Sequence, residues 1–91
     1  MHPVFLSIVI PTFNEEAIIT DTLGKVAEFL ATREYTWEVV VADDGSTDTT
    51  ARLVGNFAQG NPDVRLLSLS HHGKGWAVRE GMMEARGQYR F

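Results

Sequence analysis

The chain has 91 residues, with 12 acidic against 8 basic side chains and a formal net charge of -4. This length allows one small domain, and the acidic balance argues against a nucleic-acid-binding surface. The absence of cysteine excludes disulfides, thiolate metal sites and a cysteine nucleophile.

The first third of the chain predicts one strand followed by one helix. Residues 5–10 are apolar and rich in β-branched side chains, which is typical of a buried strand, and Pro11 ends this run. Acidic Glu15 and Glu16 then suit the first turn of a helix. Apolar side chains recur at helical spacing after them, at Ile19, Leu23, Val26, Ala27 and Leu30.

The same order of elements follows twice more, and a last short segment begins it again. Residues 37–42 and 64–69 are apolar enough for buried strands. A second helix is expected after an N-cap at Ser46 or Thr47, ending at Gly60. A third helix is expected from about Trp76, and residues 88–91 read as the start of a fourth strand.

Alternating strands and helices predict an α/β fold: a parallel sheet of three strands plus the start of a fourth, with helices on both faces. In such sheets the loops after the carboxyl ends of the strands gather at one edge, where ligands bind. These loops are residues 11–16, 43–48 and 70–75, and they hold most of the chemically suggestive side chains. We call them the first, second and third loops.

Asp43 and Asp44 directly follow the second predicted strand. Adjacent carboxylates raise one another's pKa, and a hydrogen-bond donor on a ligand, or a metal ion, would relieve the repulsion. The alternative is structural, with Asp44 capping the turn at Gly45 while Asp43 faces solvent. The residues alone leave both interpretations open.

Lys74 lies between Gly73 and Gly75 where the third helix should start. Glycines let a phosphate approach the backbone, and a helix amino end with a lysine attracts anions. The segment is not a Walker A loop, because Ser68 and Gly75 stand where that motif needs glycine and a hydroxyl residue. A solvated lysine in a flexible turn is the structural alternative.

Other polar and aromatic side chains carry weaker signals. His71 and His72 lack a third ligand at a suitable spacing, so a metal role is not favoured. Trp37 and Trp76 are expected to pack against the sheet rather than to stack on a ligand. The first loop contains no G-x-G-x-x-G, so a dinucleotide fingerprint is absent.

Taken in order, these segments resemble the amino-terminal half of family 2 glycosyltransferases. The resemblance is carried by residues 7–16, 39–48, 73–75 and 85–87, together with Gly81. It spans nearly the whole chain and is strongest to the polyprenyl-phosphate branch, the dolichyl-phosphate mannose or glucose synthases. It implies a Rossmann-like GT-A domain that uses a UDP- or GDP-sugar, with a polyprenyl or dolichyl phosphate, or a saccharide, as the hexose acceptor.

The resemblance also assigns roles to six side chains. It implies that the base and ribose pocket is lined by Pro11, Phe13 and Glu15. It further places Val41 beside the base, Asp43 as acceptor of a base N–H, and Lys74 near the base or the diphosphate. Asp44 and Ser46 are then expected to hold the turn and cap the following helix.

This chain departs from the family pattern in two places and lacks one motif. Family members usually carry Asn where His71 stands and a small residue where Trp76 stands. The Asp-x-Asp motif that binds Mg²⁺ or Mn²⁺ would follow a few residues past Gly87, beyond this chain, as would the acceptor half and the catalytic base. No metal ligand and no catalytic residue is therefore assigned within residues 1–91.

Because these parts are missing, we expect residues 1–91 to form the nucleotide-sugar-binding part of the domain. Alone it should bind nucleotide weakly, transfer no sugar and self-associate through an exposed sheet edge. The chain shows neither a signal peptide nor an apolar run long enough to cross a bilayer. The resemblance implies a cytoplasmic location, at the cytosolic face of a membrane for the intact protein.

Two other functions are compatible with the sequence. A receiver-like signalling domain also combines paired acids at a strand end with a lysine after a later strand, although its acids should come after the first strand. A non-catalytic nucleotide-binding remnant would differ from the enzyme only in the residues that come after Phe91.

Overall fold

The computed structural model describes residues 3–91 and contains four strands and three helices. Met1 and His2, which belong to the segment where no signal peptide is expected, lie outside the described residues. The elements, in chain order, are β1 Leu6–Thr12, α1 Ile19–Ala31, β2 Trp37–Asp44, α2 Thr50–Gln59, β3 Val64–Leu69, α3 Lys74–Glu84 and β4 Tyr89–Arg90.

All strand pairs are parallel, and the strand order is β3-β2-β1-β4. This confirms the expected α/β fold with its short fourth strand. The order is that of a Rossmann-type sheet, whereas receiver domains have the order 2-1-3-4-5, with β3 beside β1. The receiver-like alternative is therefore wrong. The direction of winding reverses between β1 and β4, and a crevice at such a switch point is where ligands bind in open α/β sheets.

The central strand β2 is apolar throughout because both of its faces are covered. Val39 and Val41 pack in a cluster with α1 and α2, and Val40 and Ala42 pack with α3 on the other face. Each fully buried valine contributes about 1.5–3 kcal/mol to folding. The two helical layers thus hold the sheet from both sides, as the alternation predicted.

Helix α3 lies unusually close to the sheet at Gly81. A Cβ atom at this position would overlap the side chain of Val9 and lie 3.3 Å from the Cβ of Ala42. Glycine is therefore the residue that fits. Trp76, at the start of the helix, is half-buried beside the His72 ring, with 5.0 Å between ring centroids.

Two helices begin elsewhere than expected. α2 begins at Thr50 rather than just after Ser46 or Thr47, because the side chains of Ser46 and Thr47 are bonded to Asn14 of the first loop instead of capping the helix. α3 begins two residues early, at Lys74. Within the described part of the chain, no helix has both the length and the apolar character that a membrane span requires.

Candidate functional site

A cavity of about 410 Å³ opens at the carboxyl edge of the sheet. The first loop, the end of β2 and the third loop all contribute to its wall. The lining residues are Pro11, Thr12, Phe13, Glu15, Asp44, His71, Gly73 and Lys74. Segments that lie far apart in sequence therefore form one concave site, as the loop positions predicted.

The first and second loops are interlocked by hydrogen bonds. Asn14 adopts a left-handed backbone conformation, with φ 51°, which asparagine tolerates better than most residues. Its N–H donates to Ser46 Oγ at 2.9 Å, and its Oδ1 accepts from the N–H of Thr47 at 2.8 Å. The Glu16 carboxylate accepts from the N–H of Thr49 at 2.9 Å. These contacts fix the loop that carries Phe13 and Glu15.

Asp48 strengthens the same junction at the start of α2. Its carboxylate accepts from the N–H of Thr50 at 2.8 Å and from the N–H of Glu16 at 3.3 Å. Burial alone would raise the pKa of Asp48, but hydrogen bonds from Thr50 and Glu16 outweigh it and hold the pKa below its ordinary value. The charged form is thus the form that joins the two loops.

Asp43 is buried beneath the cavity rather than exposed on its wall. Its Oδ1 accepts from Thr12 Oγ1 at 2.8 Å and from Ser46 Oγ at 2.6 Å, and its Oδ2 accepts from the N–H of Ser46 at 2.9 Å. The carboxylate therefore joins the end of β1 to the second loop. The side chain is buried, which corrects the expectation that it faces solvent, and its role as acceptor of a base N–H stays a prediction.

Asp44 anchors the third loop, not the start of α2 as expected. Its carboxylate accepts from the N–H of His72 at 2.7 Å and of Gly73 at 2.9 Å, and lies 2.9 Å from His71 Nδ1. The hydrogen bond from His72 lowers the pKa of Asp44, burial raises it to a smaller extent, and Gly73 and His71 lower it further. Its pKa is therefore below the ordinary value.

Gly45 permits the second and third loops to meet. Its φ is 70°, and a Cβ atom there would lie 2.7 Å from the backbone nitrogen of His71. Both the left-handed conformation and the close approach require glycine at this position. The turn after β2 and the loop before α3 are thus in direct contact.

The six residues assigned by resemblance fall into two groups. Four of them line the cavity together: Pro11, Phe13, Glu15 and Lys74. Val41 and Asp43 do not line it, because Val41 belongs to the core formed with α1 and α2 and Asp43 bonds inward. Nucleotide contacts by all six residues stay predictions.

Three side chains on the wall are not among the six that the resemblance assigned: Thr12, Asp44 and His71. Asp44 could have been found, because successive residues of an extended strand face opposite sides, so that only one of the adjacent acids turns toward the third loop. The sequence indicated for His71 a disfavoured metal role and a departure from the family pattern, but not its contact with Phe13: the two rings stack, with centroids 4.5 Å apart and 28° between the planes.

The described residues do not fit a metal site. Among residues 3–91, no group of three histidine, aspartate or glutamate side chains lies close enough to hold an ion. Asp44, the acid nearest the third loop, already has its oxygens engaged by two backbone N–H groups and by His71. We therefore derive no chemical step through a metal from these residues.

Comparison with known proteins gives consistent matches over almost all of the chain. Residues 7–90 match the family described as glycosyl transferase family 2. Dolichyl-phosphate β-glucosyltransferases from Trichomonas vaginalis and Homo sapiens are 40% and 35% identical over 91 residues, covering 93% and 91% of this chain. The chain spans only 27% and 28% of the length of those two relatives.

Solved structures show the same architecture. A mannosyltransferase from Pyrobaculum calidifontis, in complex with GDP-Man and Mn²⁺, aligns with a TM-score of 0.76 and 28% identity over 93% of this chain and 25% of its own. S. aureus TarS, in complex with UDP-GlcNAc, aligns with a TM-score of 0.71 and 26% identity over 97% of this chain and 25% of its own. The fold is that of GT-A glycosyltransferases, and the chain belongs to glycosyltransferase family 2.

Proposed function

We propose that this chain forms the donor-nucleotide site of a glycosyltransferase and that its cavity binds the UDP or GDP part of a nucleotide sugar. The observation that carries the proposal is the convergence of Phe13, Glu15, Asp44 and Lys74 on one cavity at the carboxyl ends of the parallel strands. Its volume of about 410 Å³ suits a small-molecule ligand. The two solved neighbours, which hold GDP-Man and UDP-GlcNAc, support the same assignment.

The cavity offers chemistry for both halves of a nucleoside diphosphate. The Phe13 ring supplies an apolar surface for the nucleoside, and the Glu15 carboxylate can accept its hydrogen bonds. Lys74, at the amino end of α3, supplies positive charge where the helix dipole also favours an anion. In a chain of net charge -4, this local positive charge would draw the diphosphate to that end of the cavity.

For a protein of the relatives' length, we propose transfer of a hexose from this donor to a polyprenyl or dolichyl phosphate. The names of the dolichyl-phosphate β-glucosyltransferases support that acceptor over a saccharide hydroxyl. The acceptor oxygen would attack the anomeric carbon as the nucleoside diphosphate leaves. A divalent cation would accompany the donor, as Mn²⁺ accompanies GDP-Man in the Pyrobaculum mannosyltransferase.

Nucleotide binding tests this proposal directly. We expect UDP or GDP to raise the melting temperature of the chain and to bind measurably by calorimetry, while ADP at the same concentration does neither. Lys74→Ala should weaken binding of the preferred nucleotide about tenfold or more, because a hydrogen bond to a charged group is lost. UDP-glucose and GDP-mannose, each with and without Mn²⁺, would identify the preferred donor.

Lys25→Ala is the matched control. Lys25 is also a lysine on a helix, but it is 76% exposed on α1 and forms an ion pair with Asp21 at 3.1 Å. Its removal should leave the affinity unchanged. Equal losses in the two variants, or no stabilisation by either nucleotide, would contradict the proposed site.

We also propose that the chain self-associates through β4. Among the described residues, β4 pairs with β1 alone, so its outer edge has no neighbouring strand. Large aromatic side chains are exposed beside it, with Phe91 70% and Tyr89 51% accessible. An unprotected edge with apolar side chains favours pairing with another chain.

Sedimentation velocity tests this self-association. We expect the sedimentation coefficient to rise with concentration into the millimolar range, and Phe91→Lys to reduce the rise because charge on an edge strand disfavours pairing. Phe29→Lys is the control, since Phe29 is similarly exposed but lies on α1. A wild-type chain that stays monomeric throughout the range would rule the proposal out.

We further propose a cytoplasmic location, with the intact protein at the cytosolic face of a membrane. A lipid-linked acceptor, as named for the dolichyl-phosphate relatives, supports the membrane surface. Fractionation of cells that express the natural protein, followed by protease protection of the membrane fraction, tests this. Protection of the chain from added protease would contradict it.

A further inference from the structure

The ring of His71 is held in one orientation by two independent contacts. Its Nδ1 lies 2.9 Å from Asp44 Oδ2 and 3.0 Å from the Asp44 carbonyl oxygen. The ring also stacks on Phe13 at 4.5 Å between centroids. The side chain is 60% exposed, so burial alone would leave it free to change rotamer. The contacts therefore orient a cavity-lining side chain before any ligand binds.

The partners of Nδ1 decide what the other ring nitrogen can do. Both atoms beside Nδ1 are acceptors, a carboxylate and a carbonyl oxygen, so Nδ1 carries the proton. A neutral imidazole has a single N–H, which leaves Nε2 as a hydrogen-bond acceptor. Within residues 3–91, Nε2 of His71 forms no hydrogen bond.

An acceptor on this wall complements the nucleoside better than the diphosphate. Phosphate oxygens only accept hydrogen bonds, and Lys74 on the same wall suits them. The ribose hydroxyls and the base N–H groups are donors and need acceptors. The carboxylate of Asp44 is engaged by the third loop and that of Asp43 lies beneath the cavity. His71 therefore supplies an acceptor that neither aspartate does.

We propose that His71 is a nucleoside-binding residue: its Nε2 accepts a hydrogen bond from a hydroxyl or N–H group of the bound nucleoside, while Asp44 and Phe13 hold the ring in place. The inference rests on the proposed donor site and adds to it a contact to the nucleoside part. In either case the partner of Nε2 is a hydrogen-bond donor of the nucleoside, located on the ribose or on the base.

Two variants of His71 test the roles of its two ring nitrogens. His71→Asn keeps an amide N–H close to the position of Nδ1, within reach of Asp44, but has nothing at Nε2. His71→Phe keeps the stack on Phe13 and removes both nitrogens. We expect each variant of the 91-residue chain to bind the preferred nucleotide, UDP or GDP, about three- to tenfold more weakly by calorimetry, which corresponds to one lost hydrogen bond.

Nucleotide analogues identify the hydrogen-bond donor of the nucleoside and exclude a merely structural role of His71. The 2′-deoxy and 3′-deoxy nucleotides remove a ribose donor, and methylation at N3 of UDP or N1 of GDP removes a base donor. The analogue that lacks the relevant group should bind the wild type more weakly than the parent does and lose no further affinity in His71→Asn. Loss of affinity by the same factor for the parent and every analogue would overturn the assignment.

The outcomes also separate this inference from the proposed function. If the wild-type chain binds UDP or GDP and both His71 variants bind it equally well, the role of His71 is overturned and the donor site stands. If the wild-type chain binds neither nucleotide, both proposals are overturned.

Discussion

Replacing Glu38 with alanine is expected to lower the free energy of unfolding by about 3–5 kcal/mol, because it breaks a buried ionic network on one side. The Glu38 side chain is only 8% exposed. Its Oε2 accepts from Ser7 Oγ and from the N–H of Arg86, each at 2.6 Å, and its Oε1 accepts from Arg65 Nε at 3.1 Å. Urea unfolding followed by circular dichroism measures the loss.

Glu84→Gln is the matched control for Glu38→Ala. Glu84 contacts the same Arg65, at 3.5 Å, but its side chain is 56% exposed. Exposed ion pairs contribute about 0–1 kcal/mol, so this variant should lose little stability. Glu38→Gln, which keeps the volume and one acceptor oxygen, should lose about 1–3 kcal/mol and provides a measurable variant if the alanine variant does not fold. Equal losses of stability in the Glu38 and Glu84 variants would contradict a stabilising role of the buried network.

The contribution of Glu38 should also depend on pH. Burial alone would raise the pKa of Glu38, but hydrogen bonds from Ser7, Arg86 and Arg65 outweigh it and hold the pKa below the ordinary 4.5. Because the pKa of Glu38 is lower in the folded than in the unfolded state, its charged form stabilises the fold. This stabilisation is complete above the unfolded pKa and is lost as the pH falls through the folded pKa. The stability gap between wild type and Glu38→Gln should therefore narrow below pH 4.5, and a constant gap from pH 7 to pH 3 would contradict this.

The same network fixes the connection between α3 and β4. Ser7 Oγ donates to Glu38 and accepts from the N–H of Gly87 at 2.7 Å. A Cβ atom at Gly87 would lie 2.5 Å from Ser7 Oγ, so only glycine lets the connection approach β1 this closely. Since Ser7 and Glu38 lie near the amino ends of their strands, the network is at the edge of the sheet opposite the cavity. We infer that it sets the position of β4 without touching a ligand.

The sequence was enough to predict the strands and their parallel arrangement, because buried parallel strands are continuous apolar runs separated by helical stripes. It did not single out Glu38. An acid at the second position of a strand normally indicates a solvent-facing side chain, and its burial depends on partners 27, 31 and 48 residues away. Periodicity contains no information about such distant contacts.

The sequence was enough to predict which loops form the candidate site, but not the contacts of every side chain in them. Parallel topology brings the carboxyl ends of strands together, so Phe13, Glu15 and Lys74 reach one cavity. The roles of Asp43 and Asp44 depended on where β2 ends. The strand continues through Asp44 rather than stopping at Ala42, so the two acids alternate between the side of α2 and the side of the third loop.

Replacing Asp44 with alanine should weaken nucleotide binding by at least tenfold. The carboxylate holds the third loop through the N–H groups of His72 and Gly73, and its contact to His71 orients a cavity side chain. Without it, those N–H groups lose their acceptor and the segment that carries Lys74 loses its attachment to the end of β2. Calorimetry with the preferred nucleotide measures the loss, and circular dichroism establishes that the variant is folded.

Asp63→Ala is the control for Asp44→Ala, because Asp63 is an exposed aspartate beside β3 and away from the cavity. It should bind nucleotide as the wild type does. A folded Asp44→Ala variant with wild-type affinity would show that the third loop needs no anchor.

Asp44 and His71 should also be coupled. If Asp44 orients the imidazole, His71→Asn must cost less affinity in the Asp44→Ala background than in the wild type, since an unanchored ring has already lost its fixed position. Additive losses would mean that the two side chains act separately, and that the contact of 2.9 Å between them does not orient the ring. The double-mutant cycle therefore tests whether the second and third loops act as one binding wall, because Asp44 ends β2 and His71 lies in the loop before α3.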